Sequence, residues 1–170
     1  MKVAHGRVPT VRYSPLVGKK LSLPIVDDIA RRAGATPTIE RARQKLGGPG
    51  TTDARAGRTV RDAAGALGIV LHANGDELDV IVGSAGVVRR TKAAAWTEAE
   101  AVDLGDLAEV VRDVIAFARL AVGDRVSFVV DGRLDVGLLF EKCRYGALVA
   151  RDDERIVAVG YRALQRALDP

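Results

Sequence analysis

Four side chains near residue 75 have the types and spacing to hold a metal ion: His72, Asp76, Glu77 and Asp79. Imidazole and carboxylate groups suit a divalent cation. Against that, Asn74-Gly75 marks a tight hairpin, and strand alternation sends neighbouring side chains to opposite faces. The only other histidine is His5. The expectation is a polar hairpin tip, with no metal and no cofactor. Cys143 lies between Lys142 and Arg144, and flanking cations favour the reactive thiolate. No general base stands near it in the sequence, so it reads as a small side chain near a strand end. Gly47-Gly48-Pro49-Gly50-Thr51-Thr52 has the glycine content of a phosphate loop. A phosphate loop needs a strand before it and a Lys-Ser/Thr pair after it. Here a helical pattern precedes and no lysine follows, so the segment reads as a linker.

The remaining candidates are cations. Residues 1–61 hold 13 Lys or Arg against 4 Asp or Glu, a net of +9; residues 62–170 hold 13 against 18, a net of −5. A basic segment on an acidic body suits nucleic acid, or an acidic protein surface. The candidate nucleic-acid or partner-binding residues are Arg7, Arg12, Tyr13, Lys19, Lys20, Arg31, Arg32, Arg144 and Tyr145. Arg151 and Arg162 could share one edge with the last two. The first 23 residues also carry Val3, Val8, Val11, Leu16, Val17, Leu21 and Leu23. That is too apolar for a purely solvated tail, so an arm lying across a surface is expected.

These residues must be positioned by a chain of 170 residues with 48% hydrophobic content, enough for a buried core. Aromatics are only 4%, which leaves few base-stacking platforms. A single cysteine excludes an internal disulfide and a thiolate zinc site. No stretch approaches the roughly 20 apolar residues of a membrane span, and no apolar run follows the N-terminal charges, so a cytoplasmic location is expected.

The pattern along the chain predicts an extended basic arm over 1–23 and two short helices with a Gly/Pro linker over 24–50. An α+β middle region covers 51–120 and a small barrel covers 121–170. The helices span 24–34 and 36–46, each opened by a first-turn proline. Thr59-x-x-Asp62 resembles a capping box and predicts a helix over 60–67. Residues 69–73 and 77–82 flank Asn74-Gly75 as a hairpin, and Val87-Val88 start a third strand. An Ala-rich acidic piece predicts a short helix over 96–102. Leu104, Leu107, Val111, Val114, Ile115 and Ala118 then form one stripe of a long amphipathic helix over 104–120. Four strands follow as a meander over 124–130, 133–143, 147–152 and 155–161.

Gly123-Asp124-x-Val126, Asp131-Gly132 and Gly137, followed by short strands and a closing turn, resemble the SH3-like small barrels. The type nearest in layout is the KOW barrel of ribosomal proteins and transcription elongation factors. The likeness covers roughly residues 120–168, and its motifs have local causes in turns and bends. It implies binding to nucleic acid, peptides or neighbouring proteins, and not catalysis. Asp152-Asp153-Glu154 departs from the RNA-binding members and weakens phosphate binding on that edge. The expected fold class is therefore α+β, with a basic arm, a helical and hairpin middle, a long amphipathic helix and a C-terminal SH3-like antiparallel barrel. The expected function is non-catalytic binding of nucleic acid or a ribonucleoprotein. The alternative is a structural subunit, in a homo-oligomer or larger assembly, whose arm wraps a partner protein.

Overall fold

The computed structural model describes residues 23, 24, 28, 37–83, 86–100 and 104–167. All but the last residue of the arm expected over 1–23, with Arg7, Arg12, Tyr13, Lys19 and Lys20, lies outside the described residues, as do Arg31 and Arg32. So does most of the helix expected over 24–34.

The described residues form ten strands and two short helices: α1 (Pro37–Lys45), β1 (Thr59–Asp62), β2 (Leu67–Asn74), β3 (Glu77–Val82), β4 (Val87–Lys92), β5 (Trp96–Glu98), α2 (Ala108–Arg119), β6 (Arg125–Val130), β7 (Arg133–Cys143), β8 (Gly146–Arg151), β9 (Ile156–Gly160) and β10 (Gln165–Arg166). All paired strands run antiparallel. One sheet has the order β4-β3-β2-β1-β5, the other β10-β6-β7-β8-β9.

This overturns the expected fold class of an α+β chain ending in a self-contained barrel. The second sheet is open, with β9 and β10 at opposite edges. Its inner face is covered by the first sheet and α2. One core joins Ile69, Leu71 and Ile81 of the first sheet to Val110, Val114 and Phe117 of α2. It continues into Val126, Phe128, Leu139 and Val149 of the second sheet. The apolar face of this sheet is thus covered by a second layer and not by closure of the sheet on itself.

Three helix expectations also fail. Thr59 to Asp62 is a strand, with Val60 opposite Gly68 on β2 and Glu98 on β5. The Asp62 carboxylate accepts the Ala66 N–H at 2.8 Å and closes a turn, a bond it can make as readily as a helix cap. Trp96 to Glu98 is likewise a strand. Burial of Trp96 against Val60, Val70, Leu78 and Val80 outweighs the local helical preference of the alanines. The long amphipathic helix shrinks to the 12 residues of α2, preceded by a 3₁₀ turn over Gly105–Leu107. Gly105 sits at φ +50°, which an α-helix cannot accommodate, so the regular helix starts after it.

The hairpins fare better. β2 pairs with β3 across Asn74 and Glu77, so the loop residues are Gly75 and Asp76, one position later than the Asn-Gly signal suggests. β6 and β7 turn through Asp131-Gly132. On the outer face of the second sheet, Ile39 and Leu46 of the α1 region pack on Cys143 and Leu148. Arg43 clamps Glu141 with two hydrogen bonds at 2.9 and 3.0 Å.

The Gly-Pro cluster expected to link helix to body is hydrogen-bonded onto the β7–β8 turn. Tyr145 N–H donates to Leu46 O, Arg144 N–H to Gly48 O, and Gly50 N–H to Lys142 O, at 2.9–3.1 Å. A side chain on Gly50 would stand 2.8 Å from the Cys143 carbonyl, so only glycine permits this approach. The segment thereby delivers Thr51 to the edge of a buried polar cluster.

Candidate functional site

Asp79 is the centre of that cluster and is 1% exposed. The Gly75-Asp76 loop sets the β2–β3 register, which puts His72 directly opposite Asp79. On the other side of β3, Arg90 of β4 is the direct partner of Asp79. Paired residues of neighbouring strands share a face, so the three form a row across the sheet. A bulge between Val70 and His72 re-phases the rest of β2, so that Ile69 and Leu71 still meet the core.

The β7–β8 turn of the other sheet closes over the row. Arg144 Nε lies 3.0 Å from Asp79 Oδ2, and the Tyr145 hydroxyl donates to Asp79 Oδ1 at 3.3 Å. Arg90 Nε stands 3.4 Å from Oδ1. The Arg144 contact is an ion pair without a well-aimed hydrogen bond. Arg144 is largely buried, its side chain 14% exposed, whereas that of Arg90 is 53% exposed. Burial and the nearby Asp79 charge push the Tyr145 phenol up from its ordinary value.

His72 is enclosed on both sides. Its Nε2 accepts the Thr51 N–H at 3.0 Å, so that nitrogen carries a lone pair and the proton sits on Nδ1. Nδ1 faces Asp79 Oδ2 at 3.4 Å. Burial holds the imidazole below its ordinary pKa, and the attraction of Asp79 only partly offsets this. Nearby, Arg55 grips Asp53 through both carboxylate oxygens at 2.8–3.0 Å and holds its carboxyl at about 2.

Asp79, His72 and Thr51 stand in the order of an orienting acid, a base and a nucleophile, with Thr51 Oγ1 3.2 Å from Nε2. The hydrogen bonds oppose that chemistry. The hydroxyl donates to the Ala73 carbonyl at 2.6 Å, and the Nε2 lone pair already receives a backbone N–H. A base that is occupied and depressed in basicity does not activate a hydroxyl. The imidazole and the hydroxyl are tied into backbone hydrogen bonds, while Asp79 Oδ2 and Arg144 Nε are held to each other by charge alone. A cleft of about 430 Å³ lies beside it, between residues 52–58 and Ile115, Ala118 and Arg119 of α2.

The four hairpin residues separate into two pairs. His72 and Asp79 face inward, while Asp76 and Glu77 meet Lys92 at the tip, at 3.2 and 3.6 Å. Among the described residues, no group of three or more His, Cys, Asp or Glu is arranged to hold a metal ion. Cys143 is buried beside Ile39 and Leu148, and desolvation pushes its thiol up to about 11. Its flanking cations turn elsewhere. Lys142 donates to the carbonyls of Phe117 and Leu120 at the end of α2, both at 3.0 Å, and Arg144 goes to Asp79.

Arg144 and Tyr145 are brought together, with their polar ends on Asp79. Arg151 and Arg162 do not join them: Arg151 pairs with Asp135 at 2.6 Å and Arg162 with Asp113 at 3.2 Å. Thr51 and Arg90 carry no signal as single residues. The two-residue loop is the feature from which the His72–Asp79 pairing follows. No described helix is long and apolar enough to cross a membrane. Compared with known protein families and with curated proteins, the chain matches none.

Proposed function

We propose that this protein is a non-catalytic binding protein that engages a polyanion, nucleic acid or a ribonucleoprotein, through its basic N-terminal third. The observation that carries this reading is the separation of charge, +9 over residues 1–61 against −5 over 62–170. Within the body, Arg90, Lys92, Arg144, Arg151, Arg155, Arg162 and Arg166 all pair with carboxylates of the same chain. Arg43, Arg55 and Arg58 of the first third pair in the same way, so the reading rests on the net excess of cations in that third, which is what a polyanion would meet.

Size exclusion with light scattering tests this, with and without a short mixed-sequence RNA or DNA, at low and moderate salt. The expected result is a complex at low salt that dissociates at moderate salt, and that is lost on deletion of residues 1–22. Binding indifferent to salt, or retained by the deletion variant, overturns it.

A second reading, an assembly subunit, has its own support. Val129 and Leu134 are direct cross-strand partners at the end of the β6–β7 hairpin, 58% and 49% exposed, and Val122 is also exposed. Adjacent exposed apolar side chains suit a protein partner. A salt-resistant oligomer that Val129→Lys converts to monomer is the outcome that favours it.

A further inference from the structure

A neutral imidazole offers one donor and one acceptor, and His72 uses its acceptor for a single backbone group, the Thr51 N–H. A protonated imidazole has donors on both nitrogens. Its Nε2–H would then repel the Thr51 N–H and turn to the Thr51 Oγ1, 3.2 Å away, so that the amide loses its acceptor. Thr51 leads into the stretch over residues 52–58, which lies along β2 and supplies one wall of the cleft against α2. Its other ties to the hairpin do not depend on the imidazole. They are Thr51 Oγ1 to Ala73 O at 2.6 Å, Arg55 Nη2 to Gly75 O at 2.8 Å, and Gly57 N–H to Val70 O at 2.7 Å.

We propose that His72 is a proton-sensitive latch: neutral, it holds the Thr51 backbone on β2; protonated, it frees that amide and loosens the chain where it enters the cleft wall.

The groups facing His72 set where the latch operates. Asp79 from β3 and Asp53 from the 51–58 stretch favour the proton, and Arg90 from β4 opposes it. Arg144 and Tyr145 from the β7–β8 turn act through Asp79, whose charge they share. Burial is the largest influence and opposes the charged form, which places the transition on the acid side of 6.5. The exposed Arg90 leaves the Asp79 carboxylate partnered when the imidazole gains its proton, so the event is local. The latch does not rest on what the protein binds.

The test is an NMR pH titration of the full chain carrying His5→Gln, which leaves a single imidazole to observe. Ring protonation is followed together with hydrogen exchange of the Thr51 amide, corrected for the intrinsic pH dependence of exchange. The expected result is one shared inflection below 6.5, with Thr51 protection falling about tenfold as its hydrogen bond is lost. The Gly57 and Val70 amides, bonded to Val70 O and Arg58 O, keep their protection. Adding His72→Gln removes the inflection at Thr51; if that variant does not fold, the His5→Gln titration decides alone. The latch is overturned if the ring titrates while Thr51 protection stays unchanged. It is equally overturned if the ring stays neutral until all amides lose protection together.

Discussion

The two sheets have five strands each and one bulge each, yet they use their interiors differently. The sheet β4-β3-β2-β1-β5 places a carboxylate, an imidazole and a guanidinium in a row on its inner face and receives Arg144 and Tyr145 from its neighbour. The sheet β10-β6-β7-β8-β9 offers an apolar inner face, with Val126, Phe128, Leu139 and Val149. Its bulge lies between Leu139 and Glu141, and Phe140 there packs against the cluster under α1. Apolar packing is non-directional and tolerates small slips, whereas a buried carboxylate needs particular partners at particular distances. The difference therefore teaches that the oily layer supplies most of the stability, while the Asp79 cluster fixes how the two sheets register against each other.

The largest effect is expected from Asp79→Ala. It leaves Arg144 buried without its counter-charge and should destabilise by about 3–5 kcal/mol, read as a lower denaturation midpoint at unchanged slope. Combining Asp79→Leu with Arg144→Met removes both charges and should lose less than either change alone. Additive losses in the double variant would mean that Asp79 and Arg144 act independently, and would contradict their pairing.

On the apolar side, Leu148→Ala removes a fully buried side chain beneath α1 and should cost about 2–5 kcal/mol. Unlike the Asp79 change, this loss should be insensitive to pH.

A smaller effect follows from the depressed pKa of His72. Between the folded value and the ordinary 6.5, the unfolded chain binds more protons than the native one. Stability should therefore be complete above pH 6.5 and decline as pH falls through the folded value. Denaturation midpoints from pH 7.5 down to 5 measure this slope, and His72→Gln should flatten it. A profile unchanged by His72→Gln would separate the cluster from any pH response.

The smallest change belongs to the uncovered end of the second sheet. Leu134→Ser alters an exposed side chain and should move stability by no more than about 0.5 kcal/mol. A larger loss, or one that depends on protein concentration, would mean that this end is covered by another copy in solution.

By itself the sequence determined the features that depend on neighbours in the chain. The strand pairs around residues 75 and 131 follow from period-two apolar patterns broken by turn residues, and the charge division at residue 61 is simple arithmetic. Only the tertiary structure decided the rest. Residues 59–62 and 96–98 carry helical signals but become strands, because pairing with β2 and β1 buries Val60 and Trp96. Gly105 halts a helix that apolar spacing alone would extend backward. The C-terminal strands, whose sequence pattern alone predicts a closed barrel, form an open sheet, with an apolar face shared with a second sheet and α2. The partnership of Asp79 with Arg144 and Tyr145 spans more than sixty residues, and no local pattern encodes it. Hydrogen bonds and turns act over a few positions, but burial is settled by whichever surfaces meet, and that is a property of the whole fold.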